Sequence, residues 1–402
     1  MTHTAILSVN SGSSTIKFAL YQYRQSALAE VMLSGLIEGL EPGGQPQIRI
    51  SYDGEQHRLV LDAQPGGDVF DMALAHLRTQ LREHSSDAQI VAVAHRIVHG
   101  GERYSASVMI DDSVFPYLRS LHHLAPLHQP HNLDGVVAFQ KAFPGIPQVA
   151  CFDTGFHAQM PLNEYTFALP QDLRDAGIRR YGFHGLSYRF VSAQLARLSA
   201  RAGQRVIMAH LGNGASACAM KNSLSIATTM GFSALDGLMM GTRCGALDPG
   251  VLLHLLQDGW NAQRIEKMLY KQSGLLGVSG ISADMRTLRV AAQNQPQAQA
   301  AIDLFAYRLI RECGGLAAVL NGVDVLAFTG GIGEHDAQLR ADAVAGLSYL
   351  GLLIDPEKNH VATGDTPMAI HSAHSAAEIW VIPTDEGRIA AQDAANLLAG
   401  TS

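Results

Sequence analysis

Cysteine is scarce in this chain, and its four residues, Cys151, Cys218, Cys244 and Cys313, lie far apart with no CxxC pair. That pattern excludes a disulfide framework and a cysteine-based zinc site, and it fits reduced thiols in a cytoplasm. Charge is sparse as well: 16% of the 402 residues are Asp, Glu, Lys or Arg, against 47% hydrophobic, which excludes a disordered chain. Cations are not in excess. With 29 Lys and Arg against 36 Asp and Glu the formal net charge is −7, so broad nucleic-acid binding is disfavoured and any phosphate site must be a local cluster of cations. No apolar run approaches about 18 residues, and Met-Thr-His-Thr enters a strand-like run with no basic or cleavable apolar segment. Neither membrane insertion nor secretion is expected. The motifs GxxxxGK[ST], GxGxxG and HRDxxxxN are also missing, which argues against a P-loop enzyme, a dinucleotide-binding dehydrogenase and a protein kinase.

What the chain does have is a repeated plan. Residues 5–20, AILSVNSGSSTIKFAL, and 206–228, VIMAHLGNGASACAMKNSLSIAT, each pair apolar runs across a turn of small residues. Each run reads as a buried strand, and the Gly, Ser and Asn between them permit a tight hairpin with backbone N–H groups turned outward. Such turns hold phosphate oxygens, because donors converge where no Cβ blocks the approach. Ordinary β-hairpins look the same locally; the recurrence of two such turns suggests a duplicated nucleotide-handling scaffold. A length of 402 residues suits two domains of about 200 each.

Turn signals at EPGGQPQ (41–47) and Asp53-Gly54 mark a β-rich start. Phe70, Leu74, Leu77 and Leu81 recur at helical spacing and predict an amphipathic helix before a strand over 90–94. The domain change is expected after 152, where QVACF exits at Asp153, giving domains 1–152 with 385–402 and 153–384. In the second half, helices are predicted over 249–258, 261–272 and 297–320, and a strand over 323–328. That strand runs into TGGIGEHDAQLR, where a glycine-rich turn opens a helix, a third geometry suited to anions. A last helix over 385–398 is expected to return to the first domain.

Polar residues collect at predicted strand ends and turns: Asn10, Ser13 and Lys17; Arg96 with His99; His128; Asp153; His184; Asn213; Arg243; Asp284 with Arg286; Glu334; and Glu386. Arg96 ends the apolar run VAVAHR, where an unpaired cation would be costly, and Arg243 lies among small residues in MGTRCGALDPG. Two such arginines suit a planar carboxylate or a phosphoryl group, although a lone arginine is more often a surface ion pair. The histidines of HHLAPLHQPH, 122–131, are broken by two prolines and match no zinc spacing; a single functional residue, His128, is the better reading. His184 lies between Gly182 and Gly185, which leaves its ring accessible. Asp153 and Glu386 stand where carboxylates hold Mg²⁺ against nucleotide phosphates, and helix N-capping explains Asp385 and Glu386 equally well.

Taken in order, NSGSSTIKF, HRIVHGGE, LAPLH, FDTGFH, YGFHG, HLGNGAS, MGTRCGALDPG, SADMR, TGGIGE and TDEGRIAAQ span the whole chain, and the sequence resembles the acetate kinase family. The resemblance implies an α/β fold of the duplicated ribonuclease H-like type found in actin, Hsp70 and sugar kinases, with two domains around a cleft. It implies Mg²⁺-dependent (Mn²⁺ as a substitute) reversible transfer from ATP to acetate, giving ADP and acetyl phosphate, in a cytoplasmic homodimer. On the matching positions, Asn10 and Glu386 would hold the metal and Lys17 the nucleotide phosphates, with His210, Leu211, Gly212, Asn213 and Gly214 as a phosphate cradle. Asp284, Met285, Arg286, Gly331, Ile332, Gly333, Glu334 and His335 would enclose the adenosine. Arg96 would bind the carboxylate, His184 and Arg243 would stabilise the transferring phosphoryl group, and Asp153 matches the family's catalytic aspartate. A general base has nothing to remove from acetate, which is ionised at neutral pH, so Asp153 is expected to orient Arg96 or a metal-bound water.

Three positions depart from the family pattern: Ala234 in place of a common proline, His335 in place of asparagine, and Ala246 in place of an acidic residue. The first would widen an acyl pocket whose other expected walls are Val98, Leu127 and Phe183, so propionate is a credible substrate, and a propionate or butyrate kinase is the alternative within the same chemistry. One methylene is worth only about 1–3 kcal/mol of discrimination. An Hsp70-like binding module is expected not to apply, since the motifs leave no stretch for a client-binding domain.

Overall fold

The computed structural model describes residues 3–25, 27–41, 43–61, 68–85 and 88–400; Met1, Thr2 and Pro42 of the segments discussed above lie outside them. The chain separates into two compact units, Met1–Gly155 with Asp385–Ser402, and Phe156–Thr384. The change falls three residues after the expected one, so Asp153 belongs to the first unit.

The first unit is built on an eight-stranded sheet: β1 (His3–Ser11), β2 (Thr15–Arg24), β3 (Ala27–Glu38), β4 (Gln47–Tyr52), β5 (Glu55–Val60), β6 (Ala88–Ile97), β7 (Val108–Met109) and β8 (Gln148–Phe152). Their order across the sheet is β5-β4-β3-β2-β1-β6-β8-β7. Strand β1 is antiparallel to β2 and parallel to β6, and β6 is parallel to β8. On one face, Leu7, Val9 and Val93 pack with Leu74, Leu77 and Leu81 of the helix Val69–His84 and with Phe139 of the helix Gln129–Ala142. The predicted periodicity from Phe70 to Leu81 is the buried stripe of that first helix, and Asp68 caps it by accepting from Phe70 N at 2.8 Å. The C-terminal helix Glu386–Gly400 packs on β1 and β6 through Ala390, Ala391, Ala394 and Ala395, whose small side chains let helix and sheet approach closely.

The second unit carries β9 (Val206–Leu211), β10 (Ala215–Lys221), β11 (Leu224–Thr228), β12 (Val325–Thr329), β13 (Met368–Ala369) and β14 (Glu378–Val381), in the order β11-β10-β9-β12-β14-β13. Here β9 is antiparallel to β10 and parallel to β12, and β12 is parallel to β14. The series β3-β2-β1-β6-β8 and β11-β10-β9-β12-β14 therefore share order and strand direction. The two hairpins singled out in the sequence, β1–β2 and β9–β10, are equivalent parts of a duplicated α/β fold, as expected.

Three histidines are sealed in these cores. Burial pushes His95 down to about 4, His99 to about 3 and His157 to about 4. In the unfolded chain each would titrate near 6.5, so below that pH the unfolded state binds more protons than the folded one, and stability falls as pH drops from 6.5 toward 4. The loss has an upper bound of about 3 kcal/mol per group. Urea midpoints measured between pH 7.5 and 4.5 should decline through this window, before most carboxylates titrate. A flat profile would show that these rings are not held uncharged.

Candidate active site

The parallel strands of the first unit bring several candidates to one sheet edge. Asn10 is the cross-strand partner of Lys17, Val9 is paired with His95, and Arg96 with Cys151. Continuing the β1–β6 register by one residue sets Arg96 beside Asn10, at the carboxyl ends of the strands, where open α/β sheets bind ligands. Arg96 donates through Nε to Asp153 Oδ1 at 2.9 Å and through Nη2 to Oδ2 at 2.5 Å. Asp153 is 1% exposed and the Arg96 side chain 21%. Glu386 Oε2 lies 3.6 Å from Arg96 Nε. Burial opposes the charge on Arg96, yet Asp153 and then Glu386 outweigh it and hold the guanidinium firmly protonated.

Residues 385 and 386 take different local partners. Asp385 caps the C-terminal helix, with Oδ1 accepting from Arg388 N at 3.0 Å and from Tyr21 Oη at 2.8 Å, whereas Glu386 points to Arg96. Val98 is buried and gives its N–H to Asn132 Oδ1 at 3.0 Å, and Asn132 Nδ2 donates to Ser11 O at 2.8 Å. Asn132 thus ties the ends of β1 and β6 together, a supporting role that sequence reasoning missed. Leu127 is half-buried just before the helix Gln129–Ala142.

In the second unit, Gly212, Asn213 and Gly214 form the turn between β9 and β10, closed by Gly212 N donating to Gly214 O at 3.0 Å. A Cβ on Gly214 would lie 2.8 Å from Arg243 Nη2 and 3.3 Å from His184 Nε2, so the missing side chain is what admits both groups to the turn. Arg243 Nη1 donates to Ala234 O at 2.6 Å, which fixes the plane of the guanidinium. His184 holds a left-handed backbone, φ 59°, at the start of the helix Gly185–Leu198, and its ring stacks on His210 at 4.2 Å. The preceding turn is pinned by His157, whose Nε2 is 2.9 Å from Phe183 O and whose Nδ1 is 2.8 Å from Ser225 Oγ. Phe183 is 1% exposed and Ala234 half-buried.

Beside the turn opens a cavity of about 550 Å³, lined by Gly212, Asn213, Asp284, Met285, Arg286, Gly331, Ile332 and His335 among others. Asp284 accepts from Arg286 N at 2.8 Å and from Arg286 Nη2 at 2.7 Å, and that pairing holds its carboxyl down at about 2. The cavity also has walls that sequence reasoning missed: Arg289 in a bidentate pair with Asp336 at 3.0 and 3.1 Å, followed by Ala337 and Gln338. Three predicted contacts stand behind the wall instead of lining it. Leu211 is fully buried, Gly333 packs against Leu211 and Phe328, and Glu334 Oε1 accepts from Gly330 N at 2.7 Å and Thr384 N at 3.0 Å. Behind them the fully buried Arg340 donates to Gly333 O, Glu334 O, Asn359 and Ala362 O at 2.8–3.0 Å, and burial lowers it to about 10.

The motifs on this site are those of one family. A family model described as the Acetokinase family matches residues 5–392. This chain belongs to that family. An acetate kinase of Rhodopseudomonas palustris (strain ATCC BAA-98 / CGA009) is 45% identical over 401 residues, covering 98% of each chain. Among solved structures, the acetate kinase of Porphyromonas gingivalis has a TM-score of 0.86 at 37% identity, covering 98% of this chain and 100% of its own. A propionate kinase from Francisella tularensis has a TM-score of 0.88 at 37% identity, covering 97% and 98%. Both solved structures share the fold of this chain.

Proposed function

We propose that this acetokinase-family chain is an acetate kinase, a phosphotransferase moving the γ-phosphoryl group of ATP to acetate and back. The observation that carries this reading is the approach of Arg243 and His184 to the Gly212–Gly214 turn, two of whose residues line the 550 Å³ cavity. A nucleotide base and ribose in that cavity would lead its phosphates to the turn, where a guanidinium and an imidazole meet the charge on the equatorial oxygens. A carboxylate oxygen attacks the γ-phosphorus, the bond from that phosphorus to the bridging oxygen breaks, and ADP leaves. No proton moves in this step, so Asp153, with both oxygens on Arg96, serves as a positioning residue for a carboxylate-binding guanidinium.

Asn10 and Glu386 offer an amide and a carboxylate oxygen at one sheet edge, a sparse all-oxygen set that suits Mg²⁺, which keeps several waters and takes its other ligands from phosphates. Held by Asn10 and Glu386, the ion would supply positive charge to offset that of the nucleotide phosphates. Lys17, exposed and paired across the strands with Asn10, would add a cation to the phosphates. A homodimer fits the helix Pro249–Gln257, which buries none of its residues and exposes Val251, Leu253 and Leu256.

Incubation with ATP, Mg²⁺, acetate and hydroxylamine should yield acetohydroxamate, because hydroxylamine traps an acyl phosphate. Absence of hydroxamate with every short-chain acid would overturn the reading. Ala234 favours a second substrate, propionate, since the side chain there is small and half-buried. Comparing kcat/KM for acetate, propionate and butyrate decides the order; an optimum at butyrate would replace the first choice.

A further inference from the structure

Behind the two stacked histidines run chains of buried hydroxyl groups. Ser216 Oγ lies 2.8 Å from His184 Nδ1 and 2.5 Å from Tyr188 Oη, and both Ser216 and Tyr188 are fully buried. Burial holds the Tyr188 phenol well above its ordinary range, so its proton stays on the oxygen. That proton has Ser216 Oγ as its acceptor. The single hydroxyl proton of Ser216 is then left for His184 Nδ1. The reverse assignment would strand a buried hydroxyl proton, at a cost of about 1–3 kcal/mol.

An imidazole that accepts at Nδ1 carries its one proton on Nε2. Nε2 is the atom of His184 that faces the Gly214 turn, alongside Arg243 Nη2. The orientation matters because an Nε2 lone pair would repel a phosphate oxygen, whereas an Nε2–H stabilises it. A second chain repeats the logic: Thr384 Oγ1 donates to Ser187 Oγ at 2.9 Å, and Ser187, fully buried, is 2.8 Å from His210 Nδ1. The two rings, stacked at 4.2 Å with 26° between their planes, receive their orientation from separate hydroxyl pairs.

We propose that Tyr188 and Ser216 are positioning residues that fix His184 as an Nε2–H donor toward the transferring phosphoryl group, with Thr384 and Ser187 acting likewise on His210. The inference rests on the acetate kinase reading for its purpose but not for its geometry. Neither Tyr188 nor Ser216 touches the substrate in this scheme; each acts through the imidazole.

Long-range ¹H–¹⁵N spectra of the full chain labelled with ¹⁵N-histidine report the tautomer directly, with His184→Gln used to assign the signal. The expected wild-type spectrum places the His184 proton on Nε2. In Tyr188→Phe, Ser216 Oγ regains an open acceptor position, so the His184 proton should shift toward Nδ1 while kcat falls at least about ten-fold and both KM values stay within about two-fold. Ser216→Thr keeps the hydroxyl and should retain both tautomer and kcat; Ser216→Ala should lose both. A wild-type proton on Nδ1 would overturn the proposal, as would Tyr188→Phe and Ser216→Ala proteins with unchanged tautomer and kcat. A protein with the expected tautomers that forms no acyl phosphate would uphold the relay and defeat the acetate kinase reading instead.

Discussion

Replacing Arg243 with alanine is expected to lower kcat by about 10³-fold while the KM for ATP changes by no more than about three-fold. The asymmetry follows from where the guanidinium sits. Its Nη1 is committed to Ala234 O at 2.6 Å, and its Nη2 faces the position that a Gly214 side chain would take, so it addresses the phosphoryl end of a nucleotide and not the 550 Å³ cavity, whose lining does not include it. Charge on the equatorial oxygens is redistributed as the phosphoryl group moves, so a preorganised cation there gains strength on the way to the transition state. Arg243→Lys should recover only part of the loss. A point charge on a flexible stem cannot hold the Ala234 carbonyl and the phosphoryl oxygens in one plane. Steady-state kinetics with trapped acyl phosphate measure both parameters. A kcat within about three-fold of wild type would remove Arg243 from the phosphoryl group, and a raised KM alone would make it a ground-state contact.

The parts of this molecule that sequence reasoning could see are those written in neighbouring residues. Phe70 to Leu81 announce a helix because the spacing is a property of twelve consecutive positions, and Asn10 to Lys17 announce a hairpin because Gly and Ser interrupt two apolar runs. Asp284 with Arg286 is likewise local, a cap that folds back on its own helix. In TGGIGEHDAQLR one helix was expected after the turn, yet the structure breaks at Asp336, which accepts from Leu339 N at 2.9 Å and starts a second helix, Ala337–Gly346. An unbroken run of helix-compatible residues hid that cap. Of the contacts made across the fold, the pairing of Arg96 with Asp153 is expected through the family resemblance, and the others are not legible. Arg96 meets Asp153 only because β6 and β8 are parallel neighbours, and Glu334 turns inward only because Thr384 returns beside β12. Tyr188 and Ser216 belong to different elements, and neither looks functional until the strand pairing of Ser216 with His210 places them behind the imidazoles.

Asp153→Asn is expected to reduce kcat/KM for acetate by about 10²-fold, chiefly through KM, and to destabilise the fold by about 3 kcal/mol. The carboxylate is almost fully enclosed and gives both oxygens to Arg96, so the amide removes the charge and keeps one acceptor in nearly the same shape. Without the second anchor the guanidinium has Glu386, 3.6 Å away, as its remaining carboxylate partner. Movement in that direction takes Arg96 off the substrate carboxylate and occupies a side chain assigned to Mg²⁺, so the apparent metal requirement should rise along with the acetate KM. The alternative role, general base, makes a different forecast: the acid limb of the kcat/KM profile would belong to Asp153 and would vanish in the Asn protein. Positioning leaves that limb in place, since it then reports the ionisation of acetate and the other groups of the site. Arg96→Ala in the Asp153→Asn background completes a cycle. If the two substitutions act through one ion pair, the double variant should be little worse than Arg96→Ala alone, and full additivity would separate Asp153 from Arg96 and return it to independent chemistry.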